Sequence, residues 1–195
     1  MTVTPVRRSL LRVTLTVDDI VARCRGARAE HTPVLAVRDV LRELVADPAA
    51  LDRAVGPVVL GGITALHNEA DLTILRVAWT PGMVLNPHEH RMWAVIAMYG
   101  GQEDNAFYRR VAGGLEAAGG REVRARDVLV LGDDVIHSVA KSREEFAVAL
   151  HVYGGDFFTG ERSEWTFDTH EERPRDLANT QRLFDEANAR WRERP

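Results

Sequence analysis

Between Val17 and Asp47 apolar residues recur every three or four positions, through Ile20, Val21 and Cys24 and then Val34, Val37, Val40, Leu41, Leu44 and Val45. Residues at that spacing share one face of a helix, so the pattern predicts two amphipathic helices. Asp18 and Asp19 suit the first turn of one, where exposed backbone N–H groups favour negative charge, and Pro33 suits the first position of the other. From about Val58 the texture changes. Runs such as DLTILRVAW, MWAVIAMYG, NAFYRRV, REVRARDVLVLG and EFAVALHVYGG are rich in Val, Ile, Trp and Tyr and are separated by Gly, Pro, Asp and Asn. They predict many short strands, hence a barrel or sandwich. A helical stripe returns from Asp176 to Trp191, through Leu177, Leu183, Phe184, Ala187 and Trp191, and is expected to pack on the barrel's outside. With no repeat, low-complexity tract or dividing linker, the expectation is one domain over 1–195. It comprises a helical extension over about 1–56, a β-barrel over about 57–170 and a C-terminal helix over about 171–195.

Composition narrows the partners. Of the 195 residues 45% are hydrophobic and 28% charged, ordinary for a globular protein. No apolar run approaches the ~20 residues of a membrane span. An Arg7–Arg8 pair opens the chain, but no apolar stretch long enough for a signal peptide follows before Asp18, so the expected compartment is the cytoplasm. Cys24 is the only cysteine, which leaves no intrachain disulfide and no thiolate pair for a metal. A net charge of -4 offers no global basic field for nucleic acid or an acidic membrane surface, so small molecules are the expected partner class.

The seven histidines carry the chemistry. In the run NPHEHRMW, strand alternation would point His88 and His90 to one face and Glu89 away. A metal ion is the usual reason to hold two neutral imidazoles in one small volume, because protonating both would set like charges side by side. Taken alone, the pair reads equally well as two surface histidines. Its setting adds more. Gly82 precedes His88 by five intervening residues and Gly100–Gly101 close the following strand, a G-x5-H-x-H pattern that resembles the first motif of the cupin superfamily. Downstream, RDVLVLGDDVIH has the spacing of the second cupin motif, with His137 in the place of the third ligand. Arg126, Gly132 and Asp134 stand there where the family often has Gly, Pro and Gly. The resemblance implies an all-β cupin fold, a double-stranded β-helix or jelly-roll barrel, with N-terminal helices and a C-terminal helix. It also implies one metal ion held by His88, His90 and His137.

The usual first motif supplies a glutamate where this chain has Ala94 and Val95, so no carboxylate ligand is expected there. Three neutral histidines would leave a divalent ion its full charge and, in an octahedral shell, about three open positions. This three-histidine variant resembles thiol dioxygenases of the cysteine dioxygenase type, over most of the chain and including the helical N-terminus. That family carries a Ser-x-His-x-Tyr strand beside the metal, and the matching strand here is Ala149, Leu150, His151, Val152, Tyr153. By period two, Ala149, His151 and Tyr153 share one face; Phe146, Val148, Leu150 and Val152 fill the other, to be covered by a helix or by a partner chain, as in a homodimer. From the residues alone His151 and Tyr153 are either a satisfied core pair or a hydrogen-bonding relay at a site. The resemblance implies the second, with both as catalytic residues beside substrate and O2. It implies Fe(II), although Ni, Zn or Mn fit the same ligands, and an oxidoreductase that oxidises a small thiol or related molecule with O2. The alternatives are another metal-dependent cupin enzyme, an isomerase or hydrolase, and a non-catalytic cupin that binds a small molecule.

Several positions depart from that family. Ala149 replaces the relay serine, and no cysteine lies near Val95 to cross-link with Tyr153. The family's substrate-carboxylate arginine has no counterpart in ITALHNEAD. Arg76, Arg109 and Arg110 lie on predicted strands, each read as solvated, and no carboxylate clamp is assigned. Glu103 and Asp104 follow a Gly-Gly turn and read as a solvated hairpin tip, with a return of Glu103 toward the metal as the other reading. His31, His67 and His170 read as exposed residues at helix ends or loops. Nothing matches a phosphate-cradling Gly loop, a nucleophile elbow or a Cys-rich zinc module.

Overall fold

The structure, a computed structural model, describes residues 14–141 and 144–194; the Arg7–Arg8 pair lies outside them. Three helices come first: α1 (Val17–Arg28), α2 (Pro33–Val45) and α3 (Pro48–Val55). Thr16 starts α1 with a reciprocal cap, its Oγ1 accepting from the Asp19 N–H at 3.1 Å while its own N–H donates to Asp19 Oδ2 at 2.9 Å. Pro33 opens α2 as expected. The apolar spacing did not separate α3, which Asp47 caps through the Ala50 N–H and Gly56 ends at φ +84°.

Eleven strands follow among the described residues: β1 (Gly62–Glu69), β2 (Leu72–Trp79), β3 (Val84–Glu89), β4 (Ala94–Gly100), β5 (Gln102–Val111), β6 (Gly114–Arg124), β7 (Val128–Leu131), β8 (Ile136–Ala140), β9 (Ala147–Tyr153), β10 (Ser163–Trp165) and β11 (Glu172–Pro174). They form a five-stranded sheet in the order β1-β2-β9-β4-β7 and a six-stranded sheet in the order β11-β10-β3-β8-β5-β6. The paired strands run antiparallel. The architecture is the double-stranded β-helix of the cupin fold, with helices at both ends of the chain, as the motifs implied.

The central strands of the first sheet, β2, β9 and β4, are buried on both faces, which explains why they read as nearly unbroken apolar runs. Leu75, Val77 and Trp79 of β2, Ala94, Ile96 and Met98 of β4, and Ala149 and Tyr153 of β9 point into the barrel. Their neighbours Ile74, Ala78, Val95, Ala97, Leu150 and Val152 meet Ile20, Leu41, Leu44 and Leu51 of the three helices. The apolar side of β9 is thus covered by the chain's own helices. Arg76, one of the arginines considered for the interior, lies on this outer side. Its Nη1 donates to the carbonyls of Val55 and Gly56 at 3.1 Å, where α3 ends.

The last helix, α4 (Leu177–Arg192), does not stay on the outside of the barrel. Phe184 is fully buried in the interior cluster and stacks on Trp79 at 5.4 Å, with Ala187 beside it. Asn188 fastens the helix, accepting from the Gly61 N–H at 2.9 Å and from Thr80 Oγ1 at 2.7 Å, and donating to the Gly61 carbonyl at 2.9 Å. One face of the helix, through Thr180, Phe184 and Ala187, therefore closes the barrel, because its apolar stripe matches the open interior better than a sheet face already covered by helices.

Two backbone positions explain the turns around the site. Gly101 has φ +64°, and a Cβ there would lie 2.2 Å from the Phe146 carbonyl oxygen, so only glycine fits. Arg126, in a place where the cupin motif often has glycine, holds φ +78°. The turn keeps its left-handed shape without glycine, at a cost of about 1 kcal/mol. Phe184→Ala is expected to destabilise the protein by about 3–5 kcal/mol, measured as a fall in the denaturant midpoint at unchanged slope; a change under ~1 kcal/mol would show that α4 does not plug the barrel.

Candidate metal centre

The β3–β8 pairing builds the site. Its register sets His88 directly opposite His137, after a bulge between Leu85 and His88 that shifts the strand at Asn86–Pro87. His90 lies one residue beyond the end of β3, not within it, yet its ring stays 4.9 Å from that of His88 and 5.3 Å from that of His137. All three are at most 3% exposed. The Nε2 atoms of His90 and His137 lie 3.1 Å apart, and one ligand nitrogen from each ring falls within 4.8 Å of the others. Two ligands at ~2.1 Å from a common ion are themselves about 3–3.4 Å apart, so the spacing fits a first-row divalent metal. Burial is the main cause that drives all three pKa values down, well below 6.5 for His88 and His90 and to about 3 for His137. The imidazoles are neutral and offer lone pairs. A three-histidine metal-binding group is present.

The rings are aimed from behind. His88 Nδ1–H donates to the Asn86 carbonyl at 2.8 Å, and His137 Nδ1–H donates to Asn105 Oδ1 at 2.9 Å, which leaves each Nε2 free to coordinate. Asn105 is oriented in turn by Glu103, whose Oε1 accepts from Asn105 Nδ2 at 3.1 Å and whose Oε2 accepts from Trp79 Nε1 at 2.7 Å. Glu103 is fully buried, so the hairpin-tip reading is wrong: β5 runs straight on from the Gly101 turn and carries the carboxylate inward, to Asn105 and Trp79. Burial raises its pKa against those two hydrogen bonds. Among the described residues no carboxylate joins the three histidines as a ligand.

On β9, His151 and Tyr153 face the same chamber, with His151 Nδ1 3.1 Å from the Tyr153 hydroxyl and the Tyr153 ring 5.0 Å from that of His90. The phenol and the Trp79 ring, 6.4 Å away, hold His151 in place of the missing serine. His151 is neutral, its pKa pushed down to about 3 by burial and by His137; burial lifts that of Tyr153. His151 Nε2 and Thr180 Oγ1 line the chamber, buried and without a hydrogen-bond partner among the described residues. The free space is only about 20 Å³, roughly one water molecule. Ala94 is the cross-strand neighbour of Tyr153, so no thiol is there to cross-link, and Cys24 lies in the outer helical layer.

The arginines differ from expectation. Arg109 and Arg110 extend outward to Glu116, Glu89 and Glu172. Arg175 lines the chamber and Arg162 borders it from the outer groove; neither was singled out from the sequence because both follow the last long strand. Each guanidinium stacks on Phe157, at 5.1 Å and 5.5 Å from the ring centroid. Arg162 Nη2 donates to the carbonyls of Phe157 and Thr159, while Nη1 is buried without a partner among the described residues. Arg175 Nη1 lies 3.4 Å from both His90 Nδ1 and the Glu89 carbonyl. The other histidines stay apart: His67 is on β1, not in a loop, and His31 is exposed. His170 packs edge-on against Tyr108.

No model of a known protein family matches the chain. Among solved structures it is similar to an RmlC-like cupin with a double-stranded β-helix fold from Methanocaldococcus jannaschii. That likeness has a TM-score of 0.44 and 9% identity over 51% of this chain and 84% of that one. A double-stranded β-helix protein from Klebsiella pneumoniae also gives 0.44, at 14% identity over 56% of this chain and 84% of that one. Oxalate decarboxylase from Bacillus subtilis, whose own centres hold Mn(II), gives 0.38, at 18% identity over 47% and 23%. At these scores and identities the likenesses carry no chemistry to this chain, and the fold rests on its own strand order. What the strand topology and the histidine cluster define together is a cupin fold that carries a metal-binding group.

Asn105→Ala is expected to weaken divalent metal binding about 10- to 100-fold in a chelator competition, since His137 would lose the acceptor that fixes its tautomer. Unchanged affinity would dissociate Asn105 from the site. For His137 and His151, folded pKa values near 3 lie below the ordinary 6.5. The unfolded chain therefore binds protons that the fold refuses. Stability of the metal-free protein is complete above about pH 6.5 and is lost on acidification toward pH 3, by about 1.4 kcal/mol per pH unit for each such histidine. His151→Asn should flatten that slope by one proton; an unaltered slope would contradict a neutral buried His151.

Proposed function

We propose that the chain is a mononuclear non-haem Fe(II) dioxygenase that oxidises a small anionic thiol with O2. The observation that carries this reading is the pairing of an all-neutral three-histidine set with a histidine–tyrosine hydrogen bond on β9 of the other sheet, in one chamber walled by Phe157, on whose ring Arg162 stacks with a free donor. A bound ferrous ion would supply one-electron redox capacity and open positions for two reactants, which His88, His90 and His137 leave unopposed by any negative ligand. The overall change adds both atoms of O2 to the thiol sulfur and yields a sulfinate: sulfur gives up four electrons and oxygen takes four.

The chain's residues have separable tasks. Arg162 Nη1, buried and unpartnered, is the donor for a carboxylate on the substrate. Phe157, 2% exposed, walls the chamber between Tyr153 and the arginines and keeps water out. The Tyr153 hydroxyl, its pKa raised, keeps its proton at neutral pH and donates a hydrogen bond toward charge that develops on sulfur or oxygen. His151 orients that hydroxyl. The partners in this reading are a small thiol and O2, not nucleic acid; among the described residues no helix is long and apolar enough to cross a membrane.

The test is anaerobic loading with Fe(II), followed by O2 uptake and product mass across cysteine, mercaptopropionate and cysteamine. A productive thiol gains two oxygen atoms, and Tyr153→Phe lowers kcat by ~100-fold at unchanged iron content. Silence across the panel would favour an isomerase, a hydrolase or a binding protein built on the same histidines.

A further inference from the structure

We propose that the ligand of this chamber carries two carboxylates besides its thiol, one for Arg162 and one for Arg175; this rests on the thiol reading above and names its substrate class.

The charge balance around the histidines leads to it. Other arginines near the chamber and its outer groove are neutralised by the protein: Arg91 by Glu89, Arg110 by Glu89 and Glu172, and Arg173 by Glu164. Arg162 and Arg175 have no carboxylate within ion-pair distance among the described residues. Both stack on the same Phe157 ring, whose centroid lies 4.7 Å from that of Tyr153. Glu164, the acid felt by Arg175, is already engaged by Arg173 at 2.7 Å and by Asn179 at 3.3 Å. Asp156, felt by Arg162, has its carboxylate directed to the Phe158 N–H. Two cations side by side on one aromatic ring, beside three buried imidazoles and without a carboxylate of their own, leave positive charge that an anionic ligand would balance. A thiol with a single carboxylate would satisfy one guanidinium and leave the other.

The shape of the site agrees. Arg175 lines the chamber on one side and, with Arg162, a groove of about 580 Å³ on the other. The chamber alone, with about 20 Å³ free, admits no carboxylate, whereas the groove holds several. A ligand with its sulfur toward the histidines and two carboxylates toward the groove would draw Arg175 off His90. Arg162 offers its free Nη1 and Arg175 its guanidinium from separate positions on the Phe157 ring, which favours two separate carboxylates over one compact dianion.

The experiment measures anaerobic dissociation constants on the full, Fe(II)-loaded chain for 2-mercaptosuccinate, 3-mercaptopropionate and 2-mercaptoethylphosphonate. The dicarboxylate should bind about 10- to 100-fold more tightly than the monocarboxylate. Arg175→Gln should bring the ratio of the two dissociation constants to within about 2-fold of one, with Arg175→Lys between the two. Arg162→Gln should weaken both. Equal binding of the two carboxylates by the native protein, a preference that survives Arg175→Gln, or tightest binding of the phosphonate would overturn the proposal. Should Arg175→Gln fail to fold, as circular dichroism would show, the native comparison and Arg175→Lys decide it. Because O2 is absent, the dicarboxylate preference can hold while every thiol later proves inert to O2; that outcome removes the oxygenase and keeps the two-carboxylate site.

Discussion

The pairing of β3 with β8 is the constraint on which the chamber depends. It places His88 and His137, 49 positions apart in the chain, on facing residues of one ladder, and the bulge at Asn86–Pro87 decides which way the first ring points. Burial disfavours the charged form of each ring, and a second charge beside the first would repel it, so burial and deprotonation reinforce one another. A divalent ion is the natural occupant of such a set, because it meets the Nε2 lone pairs that the hydrogen bonds of His88 and His137 direct inward.

Around that ladder the molecule is arranged in two layers of opposite character. Outside the first sheet, α1, α2 and α3 cover an apolar face that needs no chemistry. Inside the barrel, apolar residues fill the space up to the histidines, and the polar groups that remain form chains. One runs from Trp79 through Glu103 and Asn105 to His137, and another joins His151 to Tyr153. The first is anchored on the residue that α4 stacks against, so closure of the barrel by Phe184 and orientation of a metal ligand share the Trp79 ring. Positive charge is confined to the side where Arg162 and Arg175 border the groove, which gives the chamber a direction for an anion.

What was legible in the sequence was whatever obeys a local period. The strands, their two buried faces, the histidines of both motifs and the His151–Tyr153 pair follow from alternation and from the cupin resemblance, and the structure brings those five side chains together. Residues that act through tertiary geometry were not legible. Glu103 follows a Gly-Gly turn that looks like a solvent-exposed hairpin, and only the barrel's curvature turns it inward. Arg162 and Arg175 lie in short segments with no pattern, and their role appears only when Phe157 brings them to one ring. The stripe on α4 announced an apolar face but not that its partner is Trp79. Arg126 hid a left-handed turn because its residue type does not advertise one.

The central claim is that His88, His90 and His137 grip a single cation. Anomalous X-ray diffraction from crystals of the metal-loaded protein tests it most directly. The account predicts one strong peak about 2.0–2.3 Å from a nitrogen of each of the three rings. A peak bound by other side chains, or full occupancy retained when His137 is replaced by alanine, would contradict it.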